Sequence, residues 1–133
     1  MKAIDAYLNF DGTARKAMTF YAKALGAEYK EPKFPNAPDF GDRVLHATVS
    51  KGDMLILASD TPPGTPAPAR GTNVGICVQC DDVPEIERLF KSFGEDGTMT
   101  MPLANTFWGA RFGMLTDKFG IGWMFNCDLS KKA

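Results

Sequence analysis

Shifted by 68 residues, the sequence lies over itself without a gap in two separate blocks, and this internal repeat constrains the fold more than any other feature. The first block sets 13–26 (TARKAMTFYAKALG) against 81–94 (DDVPEIERLFKSFG). Each copy reads as an amphipathic helix: Ala14, Met18, Tyr21 and Leu25 recur at helical spacing, and Ile86, Leu89 and Phe93 fill the matching positions of the second copy. Thr13 stands where it can cap the first helix. Asp82, with Glu85 three residues on, gives the second a capping-box pattern, and Pro84 is tolerated in a first turn. Gly26 and Gly94 stand where a left-handed residue stops a helix. The second block sets 43–58 (RVLHATVSKGDMLILA) against 111–126 (RFGMLTDKFGIGWMFN), so that Arg43 meets Arg111, Thr48 meets Thr116 and Gly52 meets Gly120. Two apolar runs around a turn, SKGD or DKFG, predict a β-hairpin in each copy.

The layout follows. Strand 3–10, helix 13–25, a strand near 27–34 and the hairpin 43–50/53–59 make the first half. Strand 73–80, helix 82–93, a strand near 97–103 and the hairpin 109–116/121–127 make the second. The proline- and glycine-rich stretch between them cannot continue a sheet and reads as a linker. Half of such a chain cannot bury its own sheet. The expectation is therefore one α+β domain over 1–133: repeat one 1–59, linker 60–72, repeat two 73–128. The two βαβββ repeats would form a curved mixed sheet, with helices on its convex side and a ligand cup on its concave side. A length of 133 residues suits one core and leaves no room for two.

Charge and composition exclude several partners. The formal net charge is −1 and the lysines and arginines form no basic run, so neither nucleic acid nor an anionic membrane surface is expected. No segment approaches the roughly 20 apolar residues of a membrane span, and the start of the chain lacks the apolar stretch of a signal peptide. Three cysteines, an odd number without disulfide spacing, point to the reducing cytoplasm. Cys77 and Cys80 form a C-x-x-C, but the segment 74–80 alternates like a strand rather than opening a helix. Cys127 and His46 are the remaining soft ligands, and strand cysteines are the expected reading.

Strand alternation sorts side chains onto two faces. In the first strand Ile4, Ala6, Leu8 and Phe10 form the apolar set beneath the helices, while Asp5, Tyr7 and Asn9 look into the cup. If the second hairpin pairs Thr116 with Ile121, then Met124, Asn126, Gly113 and Arg111 face the cup, and Trp123, Phe125, Phe112 and Met114 face the helices. The same offset turns Arg43, Leu45, Ala47, Met54, Ile56 and Ala58 toward the cup and His46 toward the helix side. The predicted ligand-binding set is Tyr7, Asn9, Arg43, Ile56, Cys77, Arg111, Met124 and Asn126, joined by Trp108 on the loop entering the second hairpin. An apolar lining with few polar groups is a small-molecule recipe. Arg43 and Arg111 either face one cavity, which favours an anionic ligand, or sit at the rim against surface carboxylates. Trp108 either walls the cup and stacks on a planar ligand or packs into the core. No carboxylate is placed beside His46, and there is no G-x-S-x-G, G-x-G-x-x-G or Walker loop, so no catalytic residue is assigned and no nucleotide cofactor is expected.

The doubled βαβββ units, with F-Y-x-x-x-L-G closing the first helix, resemble the vicinal oxygen chelate superfamily, the glyoxalase, bleomycin-resistance and extradiol-dioxygenase group. Within it, 7–12 (YLNFDG), 45–47 (LHA), 106–111 (TFWGAR) and 116–120 (TDKFG) followed by 122–124 (GWM) resemble the PhnB-like branch. Metal enzymes of the superfamily place His or Glu at four cup-facing sites. Carried over, those sites fall on Tyr7 (or Ala6), Ile56, Gly75 and Met124, none of which offers imidazole or carboxylate. A catalytic metal needs about three protein ligands. The resemblance with this departure implies a metal-independent small-molecule-binding protein, with no cofactor and an anionic or aromatic ligand. The alternative is a metal-dependent enzyme of glyoxalase or dioxygenase type using His46. The resemblance also implies a homodimer. PhnB-like proteins often carry a methyltransferase label, but no methyl-donor loop follows a strand here.

Overall fold

The computed structural model of the chain describes residues 1–129. They divide into two compact units, the first Met1–Ala69 and the second beginning at Arg70, with the boundary inside the expected linker. The first unit runs β1 (Ala6–Phe10), α1 (Ala14–Leu25), β2 (Glu28–Lys30), β3 (Ala47–Lys51) and β4 (Met54–Asp60). The second runs β5 (Ile76–Cys80), α2 (Val83–Phe93), β6 (Thr98–Asn105), β7 (Ala110–Thr116) and β8 (Gly122–Asp128). Each is a βαβββ unit. The sheet orders are β1-β4-β3-β2 and β5-β8-β7-β6, the same topology twice, with one parallel pair and two antiparallel pairs in each sheet.

In the first unit α1 lays Ala17, Met18, Tyr21 and Ala22 on Leu8, Phe10, Val49, Ile56 and Ala58, all buried. Burying a Leu, Ile or Phe side chain stabilises by about 1.5–3 kcal/mol, so this face holds the unit together. β2 is short because Pro32, Pro35 and Pro38 follow it and cannot supply ladder donors. Thr13 does not cap α1 through its side chain. The carboxylate of Asp60, buried at the end of β4, accepts from the Gly12 and Ala14 N–H groups through Oδ1 (2.8 and 3.0 Å) and from the Val44 N–H through Oδ2 (2.8 Å). One strand-end residue thus satisfies the helix start and pins the segment before β3.

In the second unit Ile86, Leu89, Phe90 and Phe93 of α2 cover Leu115, Trp123 and Phe125, with Phe93 edge-on to Trp123 at 4.7 Å and to Phe125 at 5.3 Å. Asp82 accepts from the Glu85 N–H as the capping box requires, and Glu85 reaches back to the Asp81 N–H (2.8 Å). Gly26 ends α1 in the left-handed region (φ 63°), as expected, but Gly94 does not (φ −80°). The left-handed residue after α2 is Asp96, two positions later.

The hairpin registers correct the sequence-based faces. β7 and β8 pair Thr116 with Gly122, not with Ile121. Between them lies a five-residue loop, 117–121, organised by Asp117: its Oδ1 accepts from the Phe119 and Ile121 N–H groups and its Oδ2 from the Trp123 indole N–H (2.8 Å). A one-residue slip exchanges faces. Phe112 and Met114 therefore leave the core face, while Arg111, Gly113 and Leu115 join it, with Trp123 and Phe125 on the core side as expected. The first hairpin turns instead on two residues, Lys51 pairing with Met54. There Ala47, Ile56 and Ala58 share a face as predicted, but it is the buried helix side.

Candidate functional site

Each unit has a sheet face that its own helix does not cover, and the candidate residues sort onto these two open faces. In the first unit β1 alternates. Leu8 and Phe10 are buried, and Tyr7 and Asn9 point the other way, paired with Leu57 and Ser59 of β4. Because Ala47 is fully buried on the helix side, alternation carries His46 and Thr48 to the open face. His46 therefore does not face the helices as expected. Its Nδ1 lies 3.3 Å from the Tyr7 hydroxyl oxygen, a hydrogen bond whose direction follows the imidazole tautomer, and the Phe34 ring stands 6.2 Å away, centre to centre. Tyr7, at 46 % exposure, presents its ring beside the imidazole. No described hydrogen bond or ion pair joins His46 to a carboxylate.

The second unit's open face carries Cys77 and Gln79 of β5, Met124 and Asn126 of β8, Phe112 and Met114 of β7, and Met101 of β6. Asn126 donates to the Gln79 side-chain oxygen (2.9 Å), and the Gln79 amide nitrogen points at the Cys77 sulfur (3.6 Å). Trp108, half exposed, sits in the 106–109 turn between β6 and β7 and meets Phe112 edge-on at 6.1 Å. This places it at the end of an aromatic edge, not in the core. The turn is closed by Thr106, whose backbone N–H donates to the Ala110 carbonyl (2.7 Å).

Both arginines pair with surface carboxylates. Arg43 pairs with Asp11 (2.8 Å) and donates to the Thr61 carbonyl and hydroxyl. Arg111, on the core side of β7, pairs with Glu87 of α2 (2.9 Å) and donates to Asn105. With each guanidinium committed to a carboxylate, the two-cation argument for an anionic ligand loses its basis. Ile56, 5 % exposed against α1, also leaves the predicted set. Leu57 takes its place on the open face, and Phe112, Met114, Gln79 and His46 are additions. Asp117 was the available signal: an Asp opening a turn folds it around its own carboxylate, and the longer loop shifts the register.

Cys77 and Cys80 fall on opposite faces of β5, which ends the C-x-x-C reading. Cys80 is buried beside Cys127, its register partner on β8, and burial pushes its thiol up to about 12. Burial also raises the Cys77 thiol.

Residues 3–125 match the sequence profile of the Glyoxalase/Bleomycin resistance protein/Dioxygenase superfamily. The chain belongs to that superfamily. Among relatives of this glyoxalase-superfamily protein, Protein YjdN of Escherichia coli (strain K12) is 32% identical, the match covering 92% of this chain and 93% of that one. The crystal structure of protein PA1353 from Pseudomonas aeruginosa superposes with a TM-score of 0.86 at 37% identity, covering 96% of this chain and 98% of that one. A Bacillus cereus structure described as a putative 3-demethylubiquinone-9 3-methyltransferase, PhnB protein, superposes with a TM-score of 0.78 at 26% identity over 95% and 99% of the two chains.

The metal sites implied by the superfamily resemblance can now be tested against side chains. Of the carried-over positions, Ala6 and Ile56 pair on a buried face and Gly75 has no side chain to offer, which leaves Tyr7 and Met124, whose open-face strand partners are Leu57 and Cys77. A phenol, an alkyl chain, a thiol and a thioether do not make a site for a hard or borderline divalent ion. Among the described residues no group of three His, Cys, Asp or Glu side chains could hold a metal ion. The chain's residues do not fit the superfamily's divalent metal.

Proposed function

We propose that this superfamily member binds a small, largely apolar, planar molecule on an open sheet face and needs no divalent metal. One observation carries the reading: of the positions to which the resemblance points, Ile56 is buried and Gly75 has no side chain, while Tyr7 and Met124, with their open-face strand partners Leu57 and Cys77, can pack against a ligand but cannot form a hard-metal site. On the first unit's open face Tyr7 and Phe34 supply aromatic surface and Asn9 and His46 polar groups; on the second unit's, Phe112 and Trp108 supply aromatic surface and Gln79 and Asn126 polar groups. That mixture suits affinity by burial and orientation by a small number of hydrogen bonds. The ion-paired arginines favour an aromatic over an anionic ligand. A thermal-shift panel of planar aromatics and small anions, run with and without chelator, tests it. The reading expects an aromatic compound to raise the melting temperature equally in both conditions; a rise abolished by chelator overturns it.

A second reading, a metal-dependent enzyme using His46, is favoured by the open-face position of the imidazole. Its surroundings of Tyr7 and Phe34 supply no further imidazole or carboxylate, which places it second. Assignment to the PhnB-like branch is supported by the Bacillus cereus neighbour and by the motifs around Trp108 and Gly120. The methyltransferase activity in that neighbour's description is not carried over. The strand-to-helix connections, residues 11–13 and 81–82, hold a single glycine and no methyl-donor loop. A cytoplasmic homodimer completes the proposal; three free cysteines agree with a reducing compartment, and light scattering measures the oligomeric state. No helix among the described residues is long and apolar enough to cross a membrane.

A further inference from the structure

Four sulfur-bearing side chains stand in one line across the second unit's open face. Strand pairing matches Cys77 of β5 with Met124 of β8, Met124 with Met114 of β7, and Met114 with Met101 of β6. Direct cross-strand partners have Cβ atoms about 4.5–5.5 Å apart, within reach of one another for side chains as long as methionine. The row depends on an irregularity in β6. Met99 pairs with Leu115, so regular pairing would put Thr100 opposite Met114. A bulge between Met99 and Met101 advances the strand by one residue and brings a thioether there instead.

The surroundings leave the row open and bias its thiol. The Met124 methyl group lies beside Gly75, immediately before β5, where a β-carbon would meet it at 3.4 Å, an ordinary contact. The Gln79 side-chain amide is held by Asn126 and directs its nitrogen to the Cys77 sulfur (3.6 Å), while burial raises the thiol. Thioether sulfur selects soft ions of the copper(I) kind, manganese and magnesium prefer oxygen ligands, and one thiolate among thioethers falls short of the three or four strong donors of a zinc site. A bound soft ion displaces the thiol proton outright.

We propose that Cys77, Met124 and Met114 form a binding site for a soft monovalent cation, Cu(I) or its analogue Ag(I), with Met101 extending the row at its outer end. The site shares Cys77 and Met124 with the organic-ligand reading but rests on thioether chemistry, and its test uses the ion alone, so the two readings stand or fall separately.

The reduced full chain is titrated with Cu(I) in competition with a chromogenic Cu(I) chelator. One ion per chain is expected to be withdrawn from the chelator. Cys77→Ser, Met114→Leu and Met124→Leu are each expected to weaken binding by about 10- to 100-fold. Leucine nearly conserves methionine's volume, so the folded state is expected to persist, as an unchanged melting temperature would verify. A second readout needs no variant: with ¹³C-methyl-methionine protein, Ag(I) is expected to shift the Met114 and Met124 methyl resonances and leave the buried Met18 resonance in place. Failure to withdraw copper from the chelator overturns the proposal. So does undiminished binding by both leucine variants, since that result describes capture by an isolated surface thiol. Neither failure bears on the thermal-shift result with aromatic compounds, which is expected to be the same with and without chelator.

Discussion

Asp60 carries more structure than its position at the end of a strand suggests. Its buried carboxylate accepts from three backbone N–H groups, on Gly12, Ala14 and Val44. Asp60→Ala would leave those donors unsatisfied, and the expected loss is about 2–4 kcal/mol in a denaturant titration. A loss below about 0.5 kcal/mol, the usual size of a surface substitution, would contradict this role. A second residue-scale expectation concerns Tyr29. Burial first, and then its donated hydrogen bond to Glu31 (2.7 Å), push its phenol up to about 12. The folded value lies above the ordinary value of about 10, so the neutral phenol's contribution is complete below about pH 10 and is lost as pH climbs toward 12. Tyrosinate absorbance of the native protein minus that of Tyr29→Phe should therefore titrate late; a midpoint near 10 would refute the assignment. Glu31 moves the other way, held low chiefly by the Arg15 guanidinium (2.7 Å), so its contribution is present above the ordinary carboxylate range and fades in acid. Both partners are solvent-accessible, so that contribution is small.

At the level of elements, Gly113 shows how tightly α2 sits on its sheet. A β-carbon there would stand 2.8 Å from the Phe90 ring and 3.0 Å from the Leu103 side chain. Gly113→Ala is expected to cost about 1–3 kcal/mol by overpacking, read as a lowered denaturation midpoint with the same slope. An unchanged midpoint would mean that α2 can move away from β7. The elements themselves were legible in the sequence. Both helices and both hairpins stand close to where periodicity puts them, although the first hairpin begins at Ala47 rather than at 43, Thr13 does not cap α1 and Gly94 is not left-handed. What could not be read was register. β4 and β8 keep the 68-residue offset along their whole length, as Met54–Asp60 and Gly122–Asp128, yet Ile56 is buried while its counterpart Met124 faces outward. The turns differ, two residues against the five folded around Asp117, and a face assignment carried through turns of unequal length inverts. The candidate site suffered accordingly. Tyr7, Asn9, Cys77, Met124 and Asn126 were found on open faces by strand alternation. Ile56 and Arg111 proved to lie on core faces, and His46 came to an open one.

For the molecule as a whole, the repeated βαβββ topology and the superfamily profile over residues 3–125 establish descent, and descent alone does not fix chemistry. The chemistry rests on donors. Tyr7 with Leu57 and Cys77 with Met124 occupy the strand-paired positions nearest those where metal-using relatives are expected to carry imidazole and carboxylate, and His46 has aromatic neighbours. Elemental analysis of the protein purified without chelator tests this most directly. Zinc, nickel, iron and manganese are each expected to fall far below one ion per chain. One of them present in stoichiometric amount, and lost on His46→Ala, would contradict the account and make the metal-dependent enzyme the first reading.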